Sequence, residues 1–137
     1  MNNITYQDFI SKKFELIFEY FDRPLSFIAK INEYDYLCYF IKSTEYFISL
    51  VTKPIALKLN QVKDLSKLYP ILERENLINV ITLDHTKKQA RIVSLLTKPN
   101  LKIHIPREPD EIIYDYHNEK RITYGTNLLK YLSGKGI

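Results

Sequence analysis

The sequence predicts an α+β fold: mainly an antiparallel β-sheet, an N-terminal meander plus a later hairpin, with short helices. Three observations predict it. Between residues 14 and 59, strand-like apolar runs follow one another across short polar turns, the pattern of antiparallel neighbours. All seven Phe and six of the 11 Tyr lie in the first 50 residues, so the bulk a core needs is concentrated there. Helical spacing of apolar residues then occurs near 61–75 and close to the C-terminal end.

Residues 2–12 are expected to form a short helix or turn, with Phe9 and Ile10 as a lid on one sheet face. Phe14 to Tyr20 is the clearest strand. Phe14, Leu16, Phe18 and Tyr20 alternate with Glu15 and Glu19, the period of two that a half-buried strand needs. Asp22-Arg23-Pro24 then breaks the run, because proline has a fixed φ and no N–H to donate. Leu25 to Ile31 alternates again, and Asn32-Glu33-Tyr34-Asp35 is the next turn, its type open without a glycine. Tyr36–Lys42 and Glu45–Thr52 are apolar on both faces, as central strands are. Ile55-Ala56-Leu57-Lys58-Leu59 reads as a short alternating strand after Pro54.

Asn60 is placed to cap a helix from Gln61 to Tyr69, whose Val62, Leu65, Leu68 and Tyr69 share one face. Pro70 then opens a further helical turn, Ile71 to Glu75. Leu77–Asp84 and Ala90–Thr97 read as a hairpin, and Leu101–Ile105 as an edge strand between two prolines. Pro109 with Asp110 and Glu111 predicts a helix start, with Ile112, Ile113 and Tyr116 as its apolar face. Thr126 is placed to cap a last helix, Asn127 to Ser133, with Leu128, Leu129 and Leu132 inward and Gly134 as its stop. One β-rich domain is expected over 1–137, with 134–137 frayed.

The net charge of +4 is unevenly placed. Residues 1–50 carry five basic and seven acidic groups, whereas 51–137 carry 15 basic and nine acidic ones. Lys87, Lys88, Arg91, Lys98, Lys102 and Arg107 form a block without an acid. Glu108, Asp110, Glu111, Asp115 and Glu119 then form a block without Lys or Arg. The first block is a candidate nucleic-acid surface, since lysines and arginines along a hairpin can follow a phosphate backbone. A solvated basic face is its plainer reading. The second block is a candidate surface for a basic partner, with pairing to the chain's own basic hairpin as the alternative. Tyr34, Tyr36 and Tyr46, near strand ends, are candidate interface anchors.

The stretch Tyr20-Phe21-Asp22-Arg23-Pro24-Leu25-Ser26-Phe27 resembles the opening signature of an uncharacterised family of small bacterial domains, roughly Tyr-Asp-x-Pro-x-x-Phe after a strand. Here Phe21 separates Tyr20 from Asp22. The resemblance covers about the first half of the chain. It implies further strands and a short helix, and it carries no catalytic or binding residue with it.

Several chemistries find no support in the sequence. Three glycines leave no room for a phosphate-cradling loop. Cys38 is the only cysteine, so no intrachain disulfide forms, and its apolar neighbours predict a buried, inert thiol. No Cys or His spacing points to zinc, and neither a metal nor a cofactor is expected. His85, His104 and His117 share no carboxylate orienter. Asp84-His85, at a hairpin tip, reads as a polar turn before an acid–base pair, because neighbours in a strand point to opposite sides. No catalytic residue is assigned.

The N-terminus has no signal-type apolar core and no run is long enough to span a membrane, so a cytoplasmic protein is expected. The abundance of Ile, Lys, Asn and Tyr fits a low-GC bacterium or its mobile elements. The functional expectation is a non-enzymatic protein-interaction module, regulatory or inhibitory. A small nucleic-acid-binding domain is the alternative, and a small hydrolase or nuclease-like toxin the second one. A homo-oligomer would follow if a sheet edge were left unpaired.

Overall fold

The architecture comes from a computed structural model that describes residues 3–21, 23–62, 64–94, 112–115, 120–123, 128–134 and 136. It is α+β and mainly antiparallel. Six strands form one sheet in chain order: β1 (Lys13–Phe21), β2 (Arg23–Ile31), β3 (Tyr34–Lys42), β4 (Glu45–Leu50), β5 (Asn79–Asp84) and β6 (Gln89–Ser94). Helix α1 (Tyr6–Ile10) precedes the sheet. Helix α2 (Lys53–Leu59), a 3₁₀ turn (Leu65–Leu68) and α3 (Tyr69–Arg74) connect β4 to β5. A separate pair, β7 (Ile112–Asp115) and β8 (Lys120–Thr123), and helix α4 (Leu128–Gly134) follow.

The sheet has a core on each face. Leu16, Phe18, Ile28, Leu37 and Phe47 pack under α2, α3 and α4 through Ile55, Leu59, Leu72 and Leu132. Ile17, Phe27, Ala29, Tyr36, Cys38, Ile48 and Ile81 form the other core, closed by Phe9 of α1. Each such large side chain contributes about 1.5–3 kcal/mol by leaving water. The expected lid is therefore α1. Its Thr5 accepts from the Asp8 amide while Asp8 accepts from the Thr5 amide, a reciprocal cap.

Two-sidedness corrects the reading of β1. Strict alternation would put Phe14, Leu16 and Phe18 on one face. The register instead slips: Phe14 lies opposite Ala29, but Leu16 lies opposite Ile28. Glu15 is the extra residue of a bulge, which reverses the phase of the strand. Phe14 stacks on Phe27 of the α1 face, whereas Leu16 and Phe18 face the other helices. The Tyr20 side chain lies outside the description.

The expected strand at Ile55–Leu59 is helix α2. Thr52 enters it extended and Pro54 occupies its first turn, where a missing N–H costs nothing. Ile55, Ala56 and Leu59 are buried together, while Leu57, which alternation would have placed with them, is 41% exposed. Asn60 ends this helix rather than capping the next one. The next helical stretch starts at Leu65, where the Asp64 carboxylate accepts the Ser66 N–H at 2.8 Å. Pro70 lies in the first turn of α3, as expected.

The β2–β3 turn is two residues long. Asn32 and Glu33 have φ of 51° and 74°, both left-handed, which makes it a type I′ turn without glycine. The helix expected after Pro109 is corrected by β7, whose Ile112-Ile113-Tyr114 run favours a strand. In its register Asp115 lies across from Lys120. The last helix runs one residue later than expected and includes Gly134. The predicted edge strand 101–105, the Thr126 cap and the tail residues 135 and 137 lie outside the described residues.

Candidate functional site

The β5–β6 hairpin gathers the described part of the basic block. Asp84 closes the tip: its Oδ1 accepts the N–H groups of Thr86 and Lys87, both at 3.0 Å. This side-chain-to-backbone turn reverses the chain over residues 85–88, with Lys88 at φ 54°. Six unbroken pairs follow, from Asp84 opposite Gln89 to Asn79 opposite Ser94. Lys87, Lys88 and Arg91 are all exposed and are brought together at this end. The acid that precedes them is occupied by backbone amides. Lys98, Lys102 and Arg107 lie outside the described residues.

His85 anchors the hairpin. Its Nε2 is 2.9 Å from the Ser43 carbonyl, which can only accept, so that nitrogen carries the proton. Nδ1 then accepts from the Tyr6 hydroxyl at 2.9 Å, with the two rings edge to face. Both ring nitrogens hold the hairpin to the β3–β4 turn and to α1. Asp84 and His85 thus serve separate structural bonds and do not form an acid–base pair. His104 and His117 lie outside the described residues. A groove of about 670 Å³ runs between the N-terminal segment and the hairpin, lined by Thr5, Tyr6, Thr82, Lys88, Gln89 and Arg91.

The three candidate tyrosines do not form one surface. Tyr34 is 50% exposed beside the β2–β3 turn. Tyr36 is 1% exposed and belongs to the α1-side core, which corrects the expectation that it is an exposed anchor: both faces of β3 are covered. Tyr46 is half-buried between the rings of Phe9, Phe27 and Phe40. Burial pushes the hydroxyls of Tyr36 and Tyr46 above the usual tyrosine range. Of the acidic block, Asp115 lies in β7, and Glu108, Asp110, Glu111 and Glu119 lie outside the described residues.

Sequence reading missed two cation–aromatic clusters, the first of them on the α1 face. The Lys12 ammonium sits 4.2 Å from the centre of the Phe9 ring and within 5.9 Å of those of Phe14, Phe27 and Tyr46. Burial holds its pKa below the ordinary lysine value. Arg23 covers the Phe40 ring at 5.1 Å. Phe9 and Phe14 are sequence neighbours of Lys12, but Phe27 and Tyr46 arrive from β2 and β4, and Phe40 reaches Arg23 from β3, so no local pattern marks either whole cluster. A third missed cluster is polar: Tyr131 donates to Asp35 at 2.7 Å, and Lys30 stands 3.7 Å from the other carboxylate oxygen, within ion-pair reach but beyond a hydrogen bond.

Cys38 is fully buried, and burial pushes its thiol from 9.0 up to about 12. That makes it a core residue and not a nucleophile at neutral pH. Among the described residues, no group of three or more His, Cys, Asp or Glu is placed to hold a metal ion. No described helix is long and apolar enough to cross a membrane. No family model, no curated protein and no solved structure matches the chain.

Proposed function

We propose that the chain is a protein-interaction module that binds its partner through the β5–β6 hairpin and the outer edge of β6. One observation carries this reading. Among the described residues β6 pairs only with β5, and this half-exposed edge strand carries exposed Arg91 and follows exposed Lys87 and Lys88 in the turn. Edge strands of this kind are templates for association. The interaction with a partner is non-enzymatic, regulatory or inhibitory. A photoreactive amino acid placed at Gln89 tests it in the native cell. Crosslinks to one protein from Gln89, and none from an equivalent probe at exposed Leu57, are expected. Equal crosslinking from both positions, or none from Gln89, would refute it.

The same three cations favour a second reading, nucleic-acid binding, because they are exposed at one end of the hairpin and the adjacent Asp84 is engaged in the turn. Crosslinks from Gln89 to DNA or RNA in place of protein would establish it. β6 carries no aromatic residue to stack on bases, and Tyr6 beside the hairpin is already engaged by His85, which is why this reading ranks second.

A further inference from the structure

We infer that β6 takes an extended, acidic peptide of a partner protein by strand addition. This rests on the reading of the hairpin as an interaction surface and adds both the mode of binding and the chemistry of the ligand.

The two edges of the six-stranded sheet differ. β1 is interrupted by register shifts at three places along its pairing with β2. Bulges of that kind turn backbone groups away from a common line and blunt an edge. β6 has none: its six pairs with β5 run in continuous register. Its outward N–H and C=O groups, which no described strand pairs, therefore keep the regular repeat an incoming strand requires. Its side chains leave room as well. Val93 is 40% exposed, and Ile92 and Ala90 are only partly covered, so an added strand would bury apolar surface on both faces.

Charge selects the occupant. Lys87, Lys88 and Arg91 lie at the edge, and β6 itself carries no acid. A second copy of β6 laid alongside in parallel would bring two such sets together, which like-charge repulsion opposes, and one laid antiparallel would leave each set facing no acid, because β6 carries none. An acidic strand meets complementary charge. A nucleic acid would meet the charge but not the backbone donors and acceptors.

The test uses the full chain and a blocked seven-residue peptide of alternating Glu and Val. Its controls are the Lys–Val counterpart and an analogue N-methylated at every residue, which keeps side chains and charge but deletes the donors. Strand addition predicts that the Glu–Val peptide slows amide exchange at alternate residues of 89–94. It also predicts binding about tenfold tighter than either control, with a similar loss for the double variant Lys87→Glu, Arg91→Glu. Absence of binding, or equal binding of the methylated analogue, would overturn it. So would slow exchange at the outer β6 amides of the unliganded chain that Glu108→Lys with Glu111→Lys relieves, because the chain's own acidic stretch would then be the occupant. These failures leave the hairpin's crosslinked partner in place, so they are distinguishable from failure of the interaction reading itself.

Discussion

The Tyr131 hydroxyl donates a 2.7 Å hydrogen bond to Oδ2 of Asp35, joining α4 to the start of β3 across 96 positions of sequence. Asp35 is 8% exposed, so its carboxylate has given up most of its water. Burial first, then the Asp35 carboxylate, raise the Tyr131 pKa far above the usual value. Replacing Tyr131 by Phe removes the donor and leaves the carboxylate behind. The expected cost is about 1.5–3 kcal/mol of stability at pH 7, the range for a hydrogen bond to a charged group. Urea unfolding of Tyr131→Phe measures it. A loss below about 0.5 kcal/mol would show that apolar packing, and not this hydrogen bond, holds α4.

Glu33 carries the strain of the β2–β3 turn. A non-glycine residue pays about 1–2 kcal/mol for the left-handed conformation it adopts here, while glycine loses more chain entropy on folding. The first term is the larger. Glu33→Gly is therefore expected to raise stability by up to about 1 kcal/mol, read as a higher Tm by calorimetry. Asn32, the other left-handed residue, donates to Asp8 at 2.8 Å and should be left intact. A lower Tm for Glu33→Gly would contradict the type I′ assignment.

Cys38 gives a pH dependence with a definite sign. Its thiol titrates at about 12 in the folded chain, against 9.0 ordinarily. Below pH 9 both states keep the proton and nothing changes. Between these values the unfolded chain releases a proton that the folded chain retains, so stability falls as pH rises, by at most about 1.4 kcal/mol per unit. The raised hydroxyls of Tyr36, Tyr46 and Tyr131 act in the same direction from about pH 10 upwards, so they add to the thiol's effect within this window. Cys38→Val is expected to flatten the curve above pH 9. An unchanged slope would mean that the thiol does not contribute.

Lys12 has the opposite sign. Burial lowers its pKa, while the four surrounding rings favour the ammonium. The neutral variant Lys12→Met is expected to be more stable than wild type by up to about 1 kcal/mol at pH 7, an estimate that sets the desolvation of one cation against its cation–π contacts. Wild type should catch up as pH rises towards 10.5, where the unfolded lysine also loses its proton. A less stable variant at pH 7 would show that the cation–π contacts dominate.

The meander was legible because the Leu25–Ile31 alternation and the later apolar runs each span one strand between short turns. What misled was local ambiguity. Ile55, Leu57 and Leu59 satisfy a strand period as written, and only the burial of Ala56 and exposure of Leu57 reveal the helix. Glu15 looks like any polar outward residue, because a bulge is defined by its partner strand and not by its own identity. Tyr36 shows the limit for the candidate site: its position near a turn implied exposure, yet α1 covers that face. Lys87, Lys88 and Arg91 could be grouped from sequence because a hairpin brings near neighbours together. The Lys12 and Asp35 clusters could not, since their partners arrive from separate elements.

Protein binding by the basic β5–β6 edge can be measured in the native cell extract. Affinity capture from native cell extract, after nuclease treatment, tests it most directly when wild type is compared with the triple variant Lys87→Glu, Lys88→Glu, Arg91→Glu. A stoichiometric protein partner that survives nuclease with wild type and is lost with the folded variant is the expected result. A partner set that vanishes with nuclease, or one that the variant retains in full, would contradict it.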